Sequence, residues 1–356
     1  LASGDKNVYI GYQAGRSTGL TSANHNVFMG SNTGAALTSG ENNIAVGNQA
    51  GEALTTGHYN IFMGYQAGEA HTTGVSNSYY GYRAGWKSTT ETQNVFLGAF
   101  SGKGEINGGQ FNTMVGYGCG AGGPTSGDYN VGMGNEVFNT ISTGSYNTGL
   151  GYGSLNAITS GDSNVAVGNG ALDKCDTEDD NIAIGKNACG TASAGLDGSQ
   201  RNICIGGSAF QGLTTGQYVI GIGYSSATTV TTGDGSIMIG YQAGDTSLDG
   251  DDNICIGYNS DTSATTGVSY AIALGDHVTA AANDFSFGKS GNVVTNDFDA
   301  DANWSRSSDA RIKRNVNDDT LGLDFINDLR TVTYQWKPSN EVPKELTSEY
   351  NEENRK

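Results

Sequence analysis

Two acidic turns hold the densest groups of possible metal ligands in the chain: DTEDDN (176–181) and LDGDDN (248–253). Several carboxylates in one short turn can bind Ca²⁺. The Gly-Gly-x-Gly-x-Asp pattern that typically builds calcium-binding solenoids is absent, so we expect solvated turns and no metal site. The histidines offer no better metal centre, because they are scattered along the chain as His25, His58, His71 and His277.

Catalytic motifs are also missing from the first 290 residues. The sequence contains no GxSxG, HExxH, P-loop or dinucleotide fingerprint. An enzyme acting on host glycans would need paired carboxylates in a groove, and no such pair stands out. The cysteines contain no CxxC pair, and Cys204 and Cys255 stand where neighbouring repeats have Ala or Gly. We therefore expect no cofactor, and cysteines that fill space as small residues.

A short repeat organises this part of the chain. Each copy opens at one residue, most often Asn, and has Gly four residues later, which we call position +4. Successive openings are mostly 17 or 18 residues apart, and they are Asn7, Asn26, Asn43, Asn60, Asn77, Asn94, Asn112, Asn130, Asn147, Asn164, Asn181, Asn202, Val219, Ser236, Asn253, Ala271 and Asp284. A fixed period of this kind indicates a repeat protein.

Apolar residues alternate within each repeat, at positions +1 and +3. Val8 and Ile10 are one such pair, and Ile44 and Val46 are another. Alternation that ends in Gly predicts a short half-buried strand followed by a turn. The sequence thus predicts an all-β fold, a β-solenoid of about 17 coils stacked about 4.8 Å apart. We expect the side chains at +1 and +3 to fill the inside of each coil.

Positions +2 and +8 change size together along the chain. Where +2 is large, +8 is Gly, and where +2 is Gly, Ala or Cys, +8 is often Phe or Leu. Such compensation is expected of side chains that share one packed space. With +1 and +3 inside the coil, that space lies outside and predicts the seam of a side-by-side homotrimer, formed by Tyr9, Phe28, Phe62, Tyr79, Phe96, Met114, Phe138, Leu155, Leu172 and Phe210. The alternative is a wider coil whose own interior holds both positions.

Two polar rows accompany the apolar ones. The opening Asn predicts a ladder of stacked amides, beginning with Asn7, Asn26, Asn43, Asn60, Asn77 and Asn94. A row of ligand-binding amides is the alternative. Tyr recurs at +5, and we expect these rings to pack on one another, with stacking on sugar rings as the alternative.

The charge distribution excludes two classes of partner. The net charge is −18, and residues 1–305 hold 9 Lys and Arg against 26 Asp and Glu. Such a surface repels phosphate backbones and anionic lipid, so we expect no nucleic-acid partner. No apolar run approaches the ~18 residues of a membrane span, so we expect no membrane insertion. The chain begins at Leu1 with neither Met nor a signal-like segment, which predicts a fragment or processed product.

The repeat region, 1–290, resembles the left-handed β-roll heads of trimeric autotransporter adhesins of the YadA type, and similar repeats of phage tail fibres. The resemblance lies in the Asn-apolar-x-apolar-Gly motif, as in NVYIG from Asn7. It implies a left-handed parallel β-roll and a trimer. The period of 17 departs from the shorter coils usual in YadA heads, so collagen binding is not carried over.

The period stops near residue 290, and we interpret 291–307 as a linker. In the tail, 308–356, three apolar residues fall on one face of a predicted helix, namely Leu323, Ile326 and Leu329. TVTYQW (331–336) then predicts a strand, so the tail is a short α+β segment.

This tail resembles the start of the peptidase S74 domain, the C-terminal intramolecular chaperone of endosialidases and tail fibres. The resemblance rests on SDARIK (308–313), the helix and VTYQWK. It implies a segment that helps the fibre fold and trimerise and then cuts itself off. The family's domain continues past this strand, so we expect 308–356 to be only its N-terminal part.

The same resemblance implies a self-cleaving dyad, with Ser308 as nucleophile, Lys313 as its base and Ser307–Ser308 as the scissile bond. The pair is chemically sensible, because a Ser hydroxyl needs a base and nearby Arg311 and Arg314 favour a deprotonated Lys. We expect no enzyme acting on an external substrate, and at most a single turnover of autoproteolysis.

These features predict a structural segment of a phage tail fibre or spike. Its partners would be two further copies of itself, other tail proteins, and a host cell-surface receptor or glycan, and its location the virion tail fibre, outside the cell. The alternative is a trimeric surface adhesin of the YadA head type on a bacterial cell.

Overall fold

The structure is a computed structural model that describes residues 4–17, 22–104, 108–122, 126–190, 198–299 and the backbone of 305–306. The chain divides into two compact units, Leu1–Ser307 and Ser308–Lys356. The tail helix and strand predicted from sequence lie in the second unit, outside the described residues.

The described residues are all-β, with no helix among them. Most strands are three residues long and open one repeat each. They are β1 (Val8–Ile10), β2 (Val27–Met29), β3 (Ile44–Val46), β4 (Ile61–Met63), β5 (Ser78–Tyr80), β6 (Val95–Leu97), β7 (Thr113–Val115), β8 (Val131–Met133), β9 (Thr148–Leu150), β10 (Val165–Val167), β11 (Ile182–Ile184), β12 (Ile203–Ile205), β13 (Ile220–Ile222), β14 (Ile237–Ile239), β15 (Ile254–Ile256), β16 (Asp261–Thr262), β17 (Ile272–Asp276), β18 (Thr279–Ala280), β19 (Asp284–Lys289), β20 (Asn292–Asp297) and β21 (Ser305–Arg306).

The opening strands form one parallel sheet. Each strand pairs with the strand of the next repeat in unshifted register, so that Val27 lies between Val8 and Ile44. The stack runs from β1 through β15 to β17 and β19, which gives a solenoid of about sixteen turns. The predicted all-β solenoid is therefore confirmed.

The two faces of the sheet are the reverse of what the alternation led us to expect. In β2 the central Phe28 is fully buried, whereas Met29 is 40% exposed. The same burial pattern holds in the other short strands: position +2 points into the coil, and +1 and +3 point outward. The core consists of the residues at +2, +7, +8 and +11, as Phe62, Ala67 and Leu54 illustrate.

This finding corrects the predicted trimer seam. The side chains assigned to it are buried within the single chain, except that Tyr9 in the first coil is only partly buried: Phe28, Phe62, Tyr79, Phe96, Met114, Phe138, Leu155, Leu172 and Phe210. The alternative reading, a wide coil whose interior holds both +2 and +8, is the observed one. The physical reason is that a coil of 17 residues encloses room for one layer of large side chains, and +2 and +8 fill it together.

Gly68 and Phe62 show why the two positions exchange size. The φ of Gly68 is +58°, and a Cβ built there would lie 2.8 Å from the Phe62 ring. In the opposite arrangement, Phe138 occupies +8 with a φ of +55°, and a Cβ on Gly132 at +2 would lie 2.8 Å from its ring. One large side chain per coil is therefore the limit in both arrangements.

The opening asparagines lie in a buried hydrogen-bonded row. Asn60 Oδ1 accepts the backbone N–H of Asn77 at 2.9 Å and its Nδ2 at 3.0 Å, while Asn60 Nδ2 donates to the Gly74 carbonyl at 2.8 Å. The backbone contact to the following opening residue recurs without interruption from Asn7 through Asn26, Asn43, Asn60, Asn77 and Asn94 to Asn202. Because this row fixes the start of the strands from β2 to β13, it also fixes their register.

The residues after the last repeat strand continue the sheet. Asn292–Asp297 forms β20, which pairs antiparallel with β19, and Thr295 then pairs with Ser305. Phe287 faces Val294 across this hairpin. The hairpin covers the edge of β19, whose N–H and C=O groups would otherwise be exposed. The interpretation of 291–307 as a linker stays a prediction.

Candidate functional site

The predicted self-cleaving dyad lies outside the described residues. Ser307, Ser308 and Lys313 all follow the last described residue, Arg306, so their assignment stays a prediction. The functional surfaces that the structure describes belong to the solenoid.

The outer strand face is a long apolar surface. It consists of the side chains at +1 and +3 from β1 to β19, none of which is charged. Many are large and more than a third exposed, including Ile10 at 54%, Leu97 at 47% and Met133 at 49%. Contiguous exposed apolar surface of this extent typically marks a contact with another protein.

Tyrosine rows border this face. At +5, Tyr65 stacks on Tyr82 with ring centroids 5.4 Å apart, and Tyr241 stacks on Tyr258 at 5.0 Å. A second row precedes the opening residue, where Tyr129 stacks on Tyr146 at 5.1 Å. The predicted packing of successive rings is what the structure shows, and the rings remain accessible from outside.

A buried polar cluster is the nearest approach to a catalytic constellation. Ser88 Oγ lies 2.7 Å from the Tyr79 hydroxyl, 3.3 Å from His71 Nδ1 and 2.6 Å from a Glu91 carboxylate oxygen. Burial lowers the pKa of His71 to about 4 and raises that of Tyr79. All four side chains are fully buried, so no substrate reaches them. The cluster is part of the core, with His71 and Ser88 at +11, where Leu37 and Leu54 stand in earlier coils.

The carboxylates of the acidic turns accept hydrogen bonds from backbone N–H groups. Asp251 Oδ1 accepts the N–H of Asp234 at 2.9 Å, and Asp179 Oδ1 accepts that of Asp162 at 2.7 Å. In the described part of the chain, no three His, Cys, Asp or Glu side chains come close enough to hold a metal ion. Here the carboxylates serve as acceptors for the neighbouring coil.

Two cysteines do more than fill space. Cys189, at +8 of one coil, forms a disulfide with Cys204, at +2 of the next. The expectation that Cys204 acts as a small space-filling residue is therefore wrong, whereas Cys255 is a buried thiol whose pKa is raised by burial. Size compensation in the sequence placed +2 and +8 in one packed space, but it did not pair these two cysteines, because they belong to neighbouring coils.

A pocket of about 300 Å³ opens on the side of the solenoid beyond the +4 turn. It spans four coils at positions +5, +6 and +9, and its lining is Glu136, Tyr152, Gly153, Asn156, Asn169, Gly170, Asp173 and Asn187. The Tyr152 hydroxyl donates to Glu136 at 3.3 Å, and Asn156 Nδ2 donates to the Glu136 carbonyl at 3.0 Å. These bonds hold a carboxylate and an aromatic ring at one end of the pocket. This pocket was not predicted from the sequence.

The comparison with known families concerns the tail. Residues 308–354 match the family model of peptidase S74, the chaperone of endosialidase. The match begins at Ser308, the residue at which the sequence predicts that the chaperone segment starts. No curated protein matches the chain. Among the described residues there is also no helix long and apolar enough to cross a bilayer.

Proposed function

From a parallel β-solenoid joined to a segment of the endosialidase chaperone family, we propose that this chain is part of a trimeric phage tail fibre that attaches to a host surface. The observation that carries the proposal is the succession of these two parts. Every coil resembles the next, so a slip of one coil between copies costs little, and a chaperone segment at one end supports correct register.

We assign the trimer seam to the outer strand face, at +1 and +3, instead of to positions +2 and +8 as predicted from sequence. Seventeen strands about 4.8 Å apart extend about 80 Å, and a face about 10 Å wide then offers on the order of 800 Å² per copy. Stable complexes bury about that area on each partner. The exposed Val, Ile, Leu and Met side chains at +1 and +3 supply it without a buried charge.

The tail supports a maturation step within this proposal. The Ser308 hydroxyl would attack the carbonyl of Ser307 while Lys313 takes its proton and passes it to the Ser308 nitrogen, which leaves as the amine. Water would then hydrolyse the ester between Ser307 and the Ser308 side chain, which separates the fibre from the chaperone segment. The family match over 308–354 supports this role.

The further partners follow from the fibre role: other tail proteins along the virion, and a host cell-surface receptor or glycan outside the cell. A trimeric bacterial surface adhesin is the second candidate, because it would use the same solenoid. The chaperone family match favours the fibre.

Solution mass tests the proposal. Light scattering should give about three times the chain mass of 36.8 kDa. Leu97→Glu places a charge in the outer strand face, where Leu97 is 47% exposed, and should shift the mass toward that of one chain. Thr56→Glu, at an exposed turn, is the matched control and should leave the trimer intact. Intact mass of the same sample reports release of 308–356.

A monomer in the unsubstituted chain would contradict the trimer and with it the fibre. Trimers in both variants would contradict only the seam and would move the interface to another face. Loss of the trimer in both variants would point to a general effect of added negative charge.

A further inference from the structure

We propose that the pocket between Glu136 and Asn187 binds one uncharged pyranose unit of a host-surface glycan. The inference rests on the attachment role proposed above and names its ligand class. The starting observation is that two successive coils lining the pocket have Gly at repeat position +6.

Position +6 explains why the pocket exists. In most coils this position carries a side chain, and Gln49, Gln66 and Gln242 hold φ values of +50° to +58°, while Gly118 is a single Gly in an earlier coil. Two successive coils have Gly instead, Gly153 and Gly170, with φ values of +63° and +64°. A Cβ built on Gly153 would meet no atom within 4 Å. A Cβ on Gly170 would lie 2.8 Å from Asn187 Oδ1, so the side of the solenoid is open at Gly153 and bounded by Asn187 at Gly170.

The missing side chains also leave an acceptor without its donor. Gln49 Nε2 donates to Glu52 at 2.8 Å, and Gln242 Nε2 donates to Asp245 at 3.4 Å, each from +6 to +9 of one coil. Asp173 occupies +9 in the coil of Gly170, and its Oδ1 is buried with no hydrogen-bond partner in the protein. Its other oxygen lies 3.9 Å from Lys174 Nζ. The Asp173 side chain is 25% exposed, so a turn of its carboxylate would present an acceptor to a ligand hydroxyl, as Glu52 and Asp245 accept from Gln in their own coils.

The rest of the lining fits a sugar ring. Carboxylates accept from hydroxyls, and the amides of Asn156, Asn169 and Asn187 can both donate and accept. The exposed ring of Tyr152 offers an apolar surface for the C–H face of the sugar. The volume of about 300 Å³ is at the lower end for small-molecule sites, which suits a single ring.

Charge selects among sugars. The pocket has two carboxylates, Glu136 and Asp173, and two exposed lysines stand next to lining residues in the sequence, Lys174 after Asp173 and Lys186 before Asn187. The solenoid around it is strongly acidic. An anionic sugar would be repelled, so the ligand is a neutral hexose rather than a sialic acid.

Saturation-transfer NMR on the full chain tests the proposal, with the methyl glycosides of glucose, galactose and mannose as probes. We expect transfer to at least one of them and none to N-acetylneuraminate. Gly170→Gln restores the donor found in other coils at a φ that Gln already adopts there, and should abolish the transfer. Asp173→Ala should weaken binding at least tenfold, whereas Asp245→Ala, at the same repeat position where Gln242 fills the gap, should not.

Several outcomes would overturn the proposal. These are no transfer to any of the three glycosides, equal transfer in Gly170→Gln and the unsubstituted chain, or a response to Ca²⁺ alone. Unchanged solution mass in each variant shows that the fold persists. A trimer that adheres to cells without glycoside transfer would remove the pocket and leave the fibre standing, and a monomer that binds glycosides would do the reverse.

Discussion

The early and later coils fill the same core in opposite ways. In the coil of Phe62 the large side chain comes from the strand, and Gly68 at +8 gives way to it. In the coil of Phe210 the large side chain comes from +8. A Cβ on Gly221, at +2 of the next coil, would overlap the Phe210 ring. The coil path is the same in both, since +8 has positive φ in every coil from Gly15 to Gly244, +58° at Gly68 and +48° at Phe210.

The difference shows that the path of the backbone and the packing of the interior are specified by different residues. The asparagine row and the +4 glycines recur in both regions and set the path of the chain, because a Cβ on Gly64 would overlap the Gly81 carbonyl of the next coil. Within that path, the interior needs only the right total volume. The His71 coil extends this freedom to polar side chains, which must then be hydrogen-bonded.

The largest expected effect comes from converting one type of coil into the other. Phe62→Ala should cost about 3–5 kcal/mol of unfolding free energy, because it empties a fully buried site. Gly68→Leu alone should also destabilise, because its Cβ would meet the Phe62 ring at 2.8 Å. The double variant copies the coil of Ala166 and Leu172 and should recover most of the loss. Denaturant unfolding of all four chains measures the coupling.

Additive losses in that double variant would show that the two positions do not share one volume. A conservative check is available in the opposite direction. Ala166→Phe with Leu172→Gly should be tolerated better than Ala166→Phe alone.

The next largest effect is a pH dependence of stability that the polar coil of His71 has and its apolar neighbours lack. His71 is neutral in the fold because burial lowers its pKa to about 4, whereas an unfolded histidine titrates near 6.5. Above pH 6.5 both states are neutral. As pH falls from 6.5 to 4 only the unfolded state gains the proton, so folding loses up to about 3 kcal/mol. His71→Leu, which copies Leu37 and Leu54, should flatten this part of the stability profile.

Unfolding free energy at pH 7 and pH 4.5 in both chains makes the measurement. Because carboxylates elsewhere also titrate toward pH 4, the relevant quantity is the difference between the two chains. An equal loss in His71→Leu would show that His71 does not carry the dependence.

Much of the fold was predictable from sequence, because the period, the strands and the asparagine row are local patterns. The inside and outside of the coil were not, since alternation at Val8 and Ile10 defines two faces without saying which one is enclosed. Size compensation between Phe62 and Gly68 pointed to one shared space but not to its place. The pocket had a signal that was missed, namely Gly153 and Gly170 in successive coils at +6. The Cys189–Cys204 pair depends on how neighbouring coils stack, which no local pattern reports.

The smallest expected effect concerns the part of the framework that the two regions do not share. Asn60 Nδ2 donates at 2.8 Å and its Oδ1 accepts at 2.9 Å, whereas Ser236 Oγ accepts the Asn253 N–H at 3.1 Å and has only one proton, at longer distance, for the Asp234 carbonyl (3.3 Å) or the Gly250 carbonyl (3.4 Å). Asn60→Ser should cost about 1–2 kcal/mol, and Ser236→Asn should gain less than that, because its predecessor is Val219 and offers no amide. Amide hydrogen exchange measures each change at the N–H that the side chain accepts. We expect faster exchange at Asn77 in Asn60→Ser and slower exchange at Asn253 in Ser236→Asn. If exchange at Asn253 does not slow, a hydroxyl already serves the later coils as well as an amide, and the row is required only where it is continuous.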